Sequence, residues 1–220
     1  MTNIRKTHPQ GRIPTSELAR HEEECLEASS RLFREHGFAK VSVDMIARAA
    51  RISPKTIYSR YGGKSGLFAA VIKRMVGPVL ASQEMLSHKN HENPVLGLRD
   101  FAVAFLERVL EPDALSMYRM LIAEATRMPE LAELFYREGP AKTISQLAEW
   151  LSAQNDAGSL RVPDPKSAAE IFVALVEAEI LRRALLLNVA PGPEERALWI
   201  ENAIIVFSRA YAPSSEQQKR

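Results

Sequence analysis

A chain of 220 residues, 46% apolar and 25% charged, has the composition of an ordinary soluble globular protein, with room for one large domain or two small ones. No apolar run approaches the roughly 18–20 residues needed to span a bilayer, and no apolar stretch follows the basic N-terminus, which excludes a secretory signal. The single cysteine, Cys25, excludes an internal disulfide framework and fits a reducing cytoplasm.

In chain order the sequence reads as all-α: about nine helices parted by Pro, Gly and short polar breaks, with no sustained apolar–polar alternation. Residues 1–16, with Arg5, Lys6 and Arg12, form a flexible basic arm, either a plain tail or a segment that reaches a minor groove. Thr15 and Ser16 open a first helix whose buried stripe (Cys25, Leu26, Ser29, Leu32, Phe33) stops at Gly37. A short helix lies behind Ser42 and runs to about Ala50. The next begins at Ser53, with Pro54 in the first helical position, where a missing N–H is harmless, and is over by Gly62. Leu67, Phe68, Val71, Ile72, Met75 and Val79 then form an amphipathic stripe over about 66–80.

After a polar break at Ser87 to Pro94, helices are expected over 95–110, 113–127, 129–138 running on past Gly139-Pro140 to about 156, 165–188 and 193–211. The last two are apolar around most of their circumference, so each needs cover on more than one side, from the monomer's own core or from a partner subunit. Residues 214–220 are polar and read as a disordered tail. Residues 1–80 hold 14 Lys/Arg against 7 Asp/Glu, and residues 81–220 hold 15 against 20. Only the front is therefore fitted to a polyanion.

The segment Val41 to Lys64, VSVDMIARAARISPKTIYSRYGGK, carries the function. Two short helices lie a few residues apart, too short to fold alone. Lys55, Thr56, Tyr58, Ser59 and Arg60 on the second are partners for phosphates and bases, and its N-terminal turn presents free amides. Arg60 can fork to a guanine, Lys55 can take a phosphate or guanine, and Thr56 a phosphate or thymine methyl. Ile46, Ala47, Ala50, Ile52 and Ile57 face inward and set the crossing of the two helices.

Ser42 to Ala47, Ile52-Ser53, Thr56-Ile57-Tyr58, Tyr61 and Lys64 to Leu67-Phe68 together resemble the TetR/AcrR family, as do Cys25-Leu26, Leu32-Phe33 and Gly37-Phe38 before them. The resemblance is strong over about residues 20–70. It implies a helix-turn-helix domain over 17–65 and an effector-binding and dimerisation domain over 66–213. It makes Ser53 to Tyr61, with Pro54 at its start, the recognition helix, sets Ser42 close to a phosphate, and brings Lys64 to the DNA backbone. Two departures stand out. Arg51 occupies a turn usually held by glycine, so the turn is either remodelled or tolerates the residue. Arg60-Tyr61 replaces a more common His-Phe pair. Tyr118-Arg119, Leu121 to Ala125, Pro129 to Leu131, Phe135-Tyr136 and Gly158 to Leu160 resemble the AefR-like subgroup.

That resemblance implies a dimer through the last two helices and an effector cavity among the middle ones. Candidate cavity residues are Phe101, Phe105, Met117, Met120, Leu121, Trp150 and Phe172, with Glu124 as the buried charge or as a partner of Arg127 or Arg119. Candidate interface residues are Phe172, Leu175, Leu181, Trp199, Ile204 and Phe207. Methionines and aromatics together suit a malleable pocket for a lipophilic effector. His21 to Cys25 lacks the second histidine of a zinc-protease helix, and His88 and His91 have no ligand cage, so no metal is expected. Glu177 and Glu179 fall on different helix faces, and no phosphate-binding or nucleophile motif occurs, so neither cofactor nor catalysis is expected. The reading is a cytoplasmic homodimeric repressor on a palindromic double-stranded operator, without membrane contact and released by a small effector. The alternatives are a helical adaptor that binds proteins without DNA affinity, and an all-helical enzyme.

Overall fold

The computed structural model describes residues 15–75 and 93–213, and every regular element among them is helical. Most of the basic arm, His88, His91, the end of the 66–80 stripe and the C-terminal tail lie outside the described residues. The helices are α1 (Thr15–His36), α2 (Val43–Ala49), α3 (Pro54–Tyr61), α4 (64–75), α5 (Pro94–Val109), α6 (Pro112–Glu124), α7 (Pro129–Glu138), α8 (Pro140–Asp156), α9 (Pro165–Leu187) and α10 (Pro193–Ala210). From α5 onward each opens on a proline, whose fixed φ suits the first turn and whose absent N–H has no helical partner there. The stretch expected to run on from 129 to 156 is divided at Gly139, because Pro140 cannot donate into the preceding turn.

Two apolar cores organise the chain. In the front core Phe33, Phe38 and Phe68 meet pairwise with centroids 5.3–5.6 Å apart, and Ile46, Ile57, Leu67 and Val71 close around them. Met117, Met120 and Leu121 of α6 and Leu131 of α7 complete this core. The three α6 residues were expected in a ligand cavity. Instead they face α1–α4, and an Arg34–Asp113 ion pair of 2.5 Å fastens the same contact between α1 and α6. Glu124, also expected in the cavity, lies against the end of α1, its Oε1 3.5 Å from where a Cβ on Gly37 would stand.

The rear core joins α5, α8, α9 and α10 around Phe101, Phe172 and Phe207. Phe101, Trp150 and Phe172 are core here, not cavity wall. Gly97 exists for Trp150, since a Cβ at that position would stand 2.5 Å from its Cζ2. Phe172, Leu181, Ile204 and Phe207, expected at a subunit interface, are buried inside the monomer. The apolar side chains that α9 and α10 leave exposed are others: Ile171, Leu186, Leu187, Leu198, Ile205 and Val206. Leu175 and Trp199 are half-buried and joined to each other, the indole N–H donating to the Leu175 carbonyl at 2.9 Å. Periodicity could not separate the two groups, because both faces of each helix are apolar.

Candidate nucleic-acid interface and ligand cavity

The helix-turn-helix is built by local hydrogen bonds. Ser42 caps α2, accepting from Met45 N at 3.2 Å, and Ser53 caps α3, accepting from Thr56 N at 3.1 Å. Between them Arg51 N–H donates to Arg48 O and Ile52 N–H to Ala47 O, the Schellman pattern, which needs a left-handed residue at Arg51. Arg51 supplies it with φ 55°, so the turn is kept and the arginine is held in a conformation that glycine adopts freely. Its side chain is exposed.

On α3 only Ile57 is buried, which fixes the outward face. At 100° per residue Lys55 and Ser59 point away from Ile57, Pro54 and Tyr58 lie on one flank, and Thr56 and Arg60 on the other. Tyr58 is 58% exposed, and Pro54, Lys55, Ser59 and Arg60 are exposed as well. Thr56 is half-buried, its hydroxyl 2.8 Å from that of Ser53. Arg60 leaves on the flank toward α1, where it lines a groove with His21, Cys25 and Tyr61. Cys25 is buried at the base of this groove, and burial pushes the pKa of its thiol up.

Lys64 is tied into the fold. Its ammonium donates to the carbonyls of Phe38 and Val41, both at 2.9 Å, and of Ala39 at 3.4 Å, and stands 4.4 Å above the Phe38 ring. All three N–H donors are thereby engaged, and desolvation lowers the pKa of the amine. Lys64 thus closes the α1–α2 loop.

A cavity of about 360 Å³ opens where the two cores adjoin. It is lined by Ile72 and Met75 of α4, Phe105, Arg108 and Val109 of α5, Ala114 and Tyr118 of α6, and Phe135 and Tyr136 of α7. Gly139, Pro140, Thr143, Ile144, Val173 and Glu177 complete the wall. Tyr118 and Phe135 meet edge to face at 5.0 Å. Of the eight residues expected here only Phe105 lines the space.

The acid in the cavity wall is Glu177, half-buried, and not Glu124. Desolvation raises the Glu177 carboxyl to about 7. Burial, aided by the charge of Glu177, also pushes the Tyr118 hydroxyl well up, so that it stays a phenol. The Arg108 guanidinium donates to the Met75 carbonyl and pairs with Glu111 at 2.5 Å. Among the described residues no group of three metal-binding side chains assembles, and no helix is long and apolar enough to cross a membrane.

Residues 26–71 match the model of the bacterial tetR family of regulatory proteins, and residues 96–213 match the C-terminal domain of AefR-like transcriptional repressors. The second match alone covers more than half of the chain. The chain belongs to the TetR family of transcriptional regulators.

Two solved structures align with this TetR-family chain over nearly its whole length. The Flavonoid-responsive Regulator FrrA is 31% identical, with a TM-score of 0.73 over 90% of this chain and 100% of that one. A TetR-family protein from Mesorhizobium loti MAFF303099, 22% identical, has a TM-score of 0.75 over 88% and 97% of the two chains and shares the fold. The transcriptional repressor BdcR of Escherichia coli K12 is 34% identical over 71 residues, or 32% of this chain. The match spans 36% of the length of that curated relative.

The site residues missed in the sequence of this regulator were not without signal. Glu177 is an acid inside the apolar run Ile171 to Ile180, on a helix that must be covered nearly all round. Tyr118 is one residue from Met117 yet faces the other core, a difference of one helical step that spacing alone does not assign.

Proposed function

We propose that this TetR-family regulator is a homodimeric repressor that binds a palindromic operator and leaves it when a lipophilic aromatic effector fills the cavity. One observation carries the reading: α4 belongs to both sites. Leu67 and Phe68 at its start are locked into the core beneath the recognition helix, while Ile72 and Met75 further along form cavity wall. Two polar ties join α4 to cavity-lining helices as well, Arg108 to the Met75 carbonyl and Lys73 to Glu138 at 3.6 Å. A ligand that prefers a shifted α4 therefore weakens operator binding by its differential affinity for the two states, ordinarily about 1–3 kcal/mol.

In this reading Lys55, Tyr58 and Ser59 enter the major groove, with Pro54 and Ser53 at the leading turn. Thr56 and Arg60 meet the phosphate strand on the α1 side, and Ser42 holds the amides of α2 at the other strand. Two such heads about 34–36 Å apart would read successive major grooves. Dimerisation is supported by the exposed apolar side chains of α9 and α10, a solvated face of a kind monomers keep small. Flavonoids, to which FrrA is responsive, are the first effectors to try.

The test is selection of fragmented genomic DNA by the purified full-length chain, beside a Lys55→Ala, Tyr58→Ala double variant. Recovery of one palindromic motif by the parent and not by the variant, with release by an effector, supports the reading. A helical adaptor instead gives no motif and no salt-sensitive DNA affinity at any effector concentration.

A further inference from the structure

We propose that the cavity chooses its ligand by a hydrogen-bond donor, an O–H or N–H on an otherwise lipophilic molecule, which docks on the Glu177 carboxyl, and that it rejects ligands presenting a carboxylate there. The proposal rests on the cavity being the effector site. Glu177 is the one acid among the lining residues, and no hydrogen bond or ion pair satisfies it among the described residues. Among the described residues of the wall no free cation faces it. Arg108 of α5 is engaged by Glu111 and by the Met75 carbonyl, α6 and α7 bring only the phenols of Tyr118 and Tyr136, and the α4 and α8 residues of the wall are not titratable.

A half-buried acid in an apolar wall has fewer partners than solvent would provide. Desolvation alone lifts Glu177 to about 7, so near neutrality it is shared between two forms. Either form accepts a hydrogen bond from a ligand, and the ionised form gains most from a cation. A ligand carboxylate would set a second negative charge beside the ionised form with little water to screen the pair, so it binds only with a proton held between the two carboxyls, a cost that grows as pH rises. The aromatic rings of Phe105, Tyr118 and Phe135 accept the flat body of a phenol or the flank of an ammonium equally well. Donor chemistry is thus the common requirement, and neutral and cationic donors are its two sources.

The test is calorimetric titration of the full-length protein with four probes sharing one bicyclic body: 2-naphthol, 2-(aminomethyl)naphthalene, 2-methoxynaphthalene and 2-naphthoate. The hydroxyl or the amine, or both, should bind at least about tenfold tighter than the methoxy compound, with naphthoate weakest. Glu177→Leu should erase the donor advantage, and Glu177→Gln should restore naphthoate binding. Melting curves establish that each variant is folded, and the near-isosteric Gln variant carries the test if the Leu variant is not. Raising the pH from 6 to 8 strengthens binding of the amine specifically, which separates cationic from neutral donors. Equal affinity for both donors and the methoxy compound, or a donor advantage that survives in Glu177→Leu, overturns the proposal and leaves the cavity a ligand site. Absence of binding by all four probes overturns the effector reading along with it.

Discussion

A carboxyl that releases its proton near pH 7 makes folding itself depend on pH. The unfolded chain lets go of that proton near pH 4.3, so the folded chain holds it more tightly. Glu177 therefore lowers stability as pH rises from the unfolded value to about 7, and the loss is complete above that. Glu177→Gln, which cannot ionise, should match the parent closely at about pH 4 and exceed it at about pH 8 by about 1–3 kcal/mol in urea titrations. An identical difference at both pH values would show that the carboxylate is hydrated in the folded state. Lys64 gives a second residue-scale prediction. Lys64→Met should cost about 2 kcal/mol, because three loop carbonyls lose a charged donor, while the salt dependence of operator binding stays unchanged. A slope lower by about one unit would instead make Lys64 a phosphate ligand. The family pattern marks Lys64 but not its use, since the carbonyls it holds are 23 to 26 residues earlier in the chain.

Most helix boundaries were legible because they rest on local chemistry: Ser42 and Ser53 as caps, prolines at the starts of α3, α5, α6, α7, α9 and α10, and Gly37 and Gly62 past helix ends, whereas the α7–α8 break at Gly139 was not. What spacing left open is the partner of each face. Met117 and Tyr118 serve different sites from adjacent positions, and α9 turns Phe172 inward and Ile171 outward, both as apolar as a core residue. The α2–α3 turn lies between these cases. The sequence raised the problem of Arg51, and only the backbone shows that the left-handed turn is kept. Arg51→Gly should raise stability by up to about 1 kcal/mol, the left-handed penalty less the greater unfolded-state freedom of glycine. A loss would mean that the arginine side chain repays its strain within the fold. At the α3–α4 junction the opposite holds. A Cβ on Gly66 would stand 1.6 Å from the Tyr61 carbonyl oxygen, and backbone is what would have to move. Gly66→Ala should therefore destabilise by about 1–3 kcal/mol or more and disturb operator binding, because that junction sets α4 against the recognition helix. An unchanged melting curve would show that the junction relaxes freely.

At the scale of the whole molecule, the regulator reading requires two reading heads held at a fixed separation. A monomer engages one half-site, whereas a dimer makes the second engagement intramolecular, which raises affinity by about 10²–10⁴ when the geometry allows both. The face that supports dimerisation holds Leu198 at 65%, Ile205 at 46% and Val206 at 55% exposure, so a charge there meets water in the monomer and desolvation in a dimer. Ile204, next to them in sequence, is buried in the rear core, and altering it would unfold the chain instead of splitting a dimer. Ile205→Glu is thus the informative change. Sedimentation should show the parent as a dimer and the variant as a folded monomer with an unaltered helical spectrum. Operator affinity should fall by about two orders of magnitude or more, while affinity for an isolated half-site is kept. A variant that remains dimeric would move the interface off α10, and the search would pass to Leu186 and Leu187 at the end of α9. A monomeric variant that keeps full operator affinity would mean that one head suffices, and the palindrome would lose its physical reason.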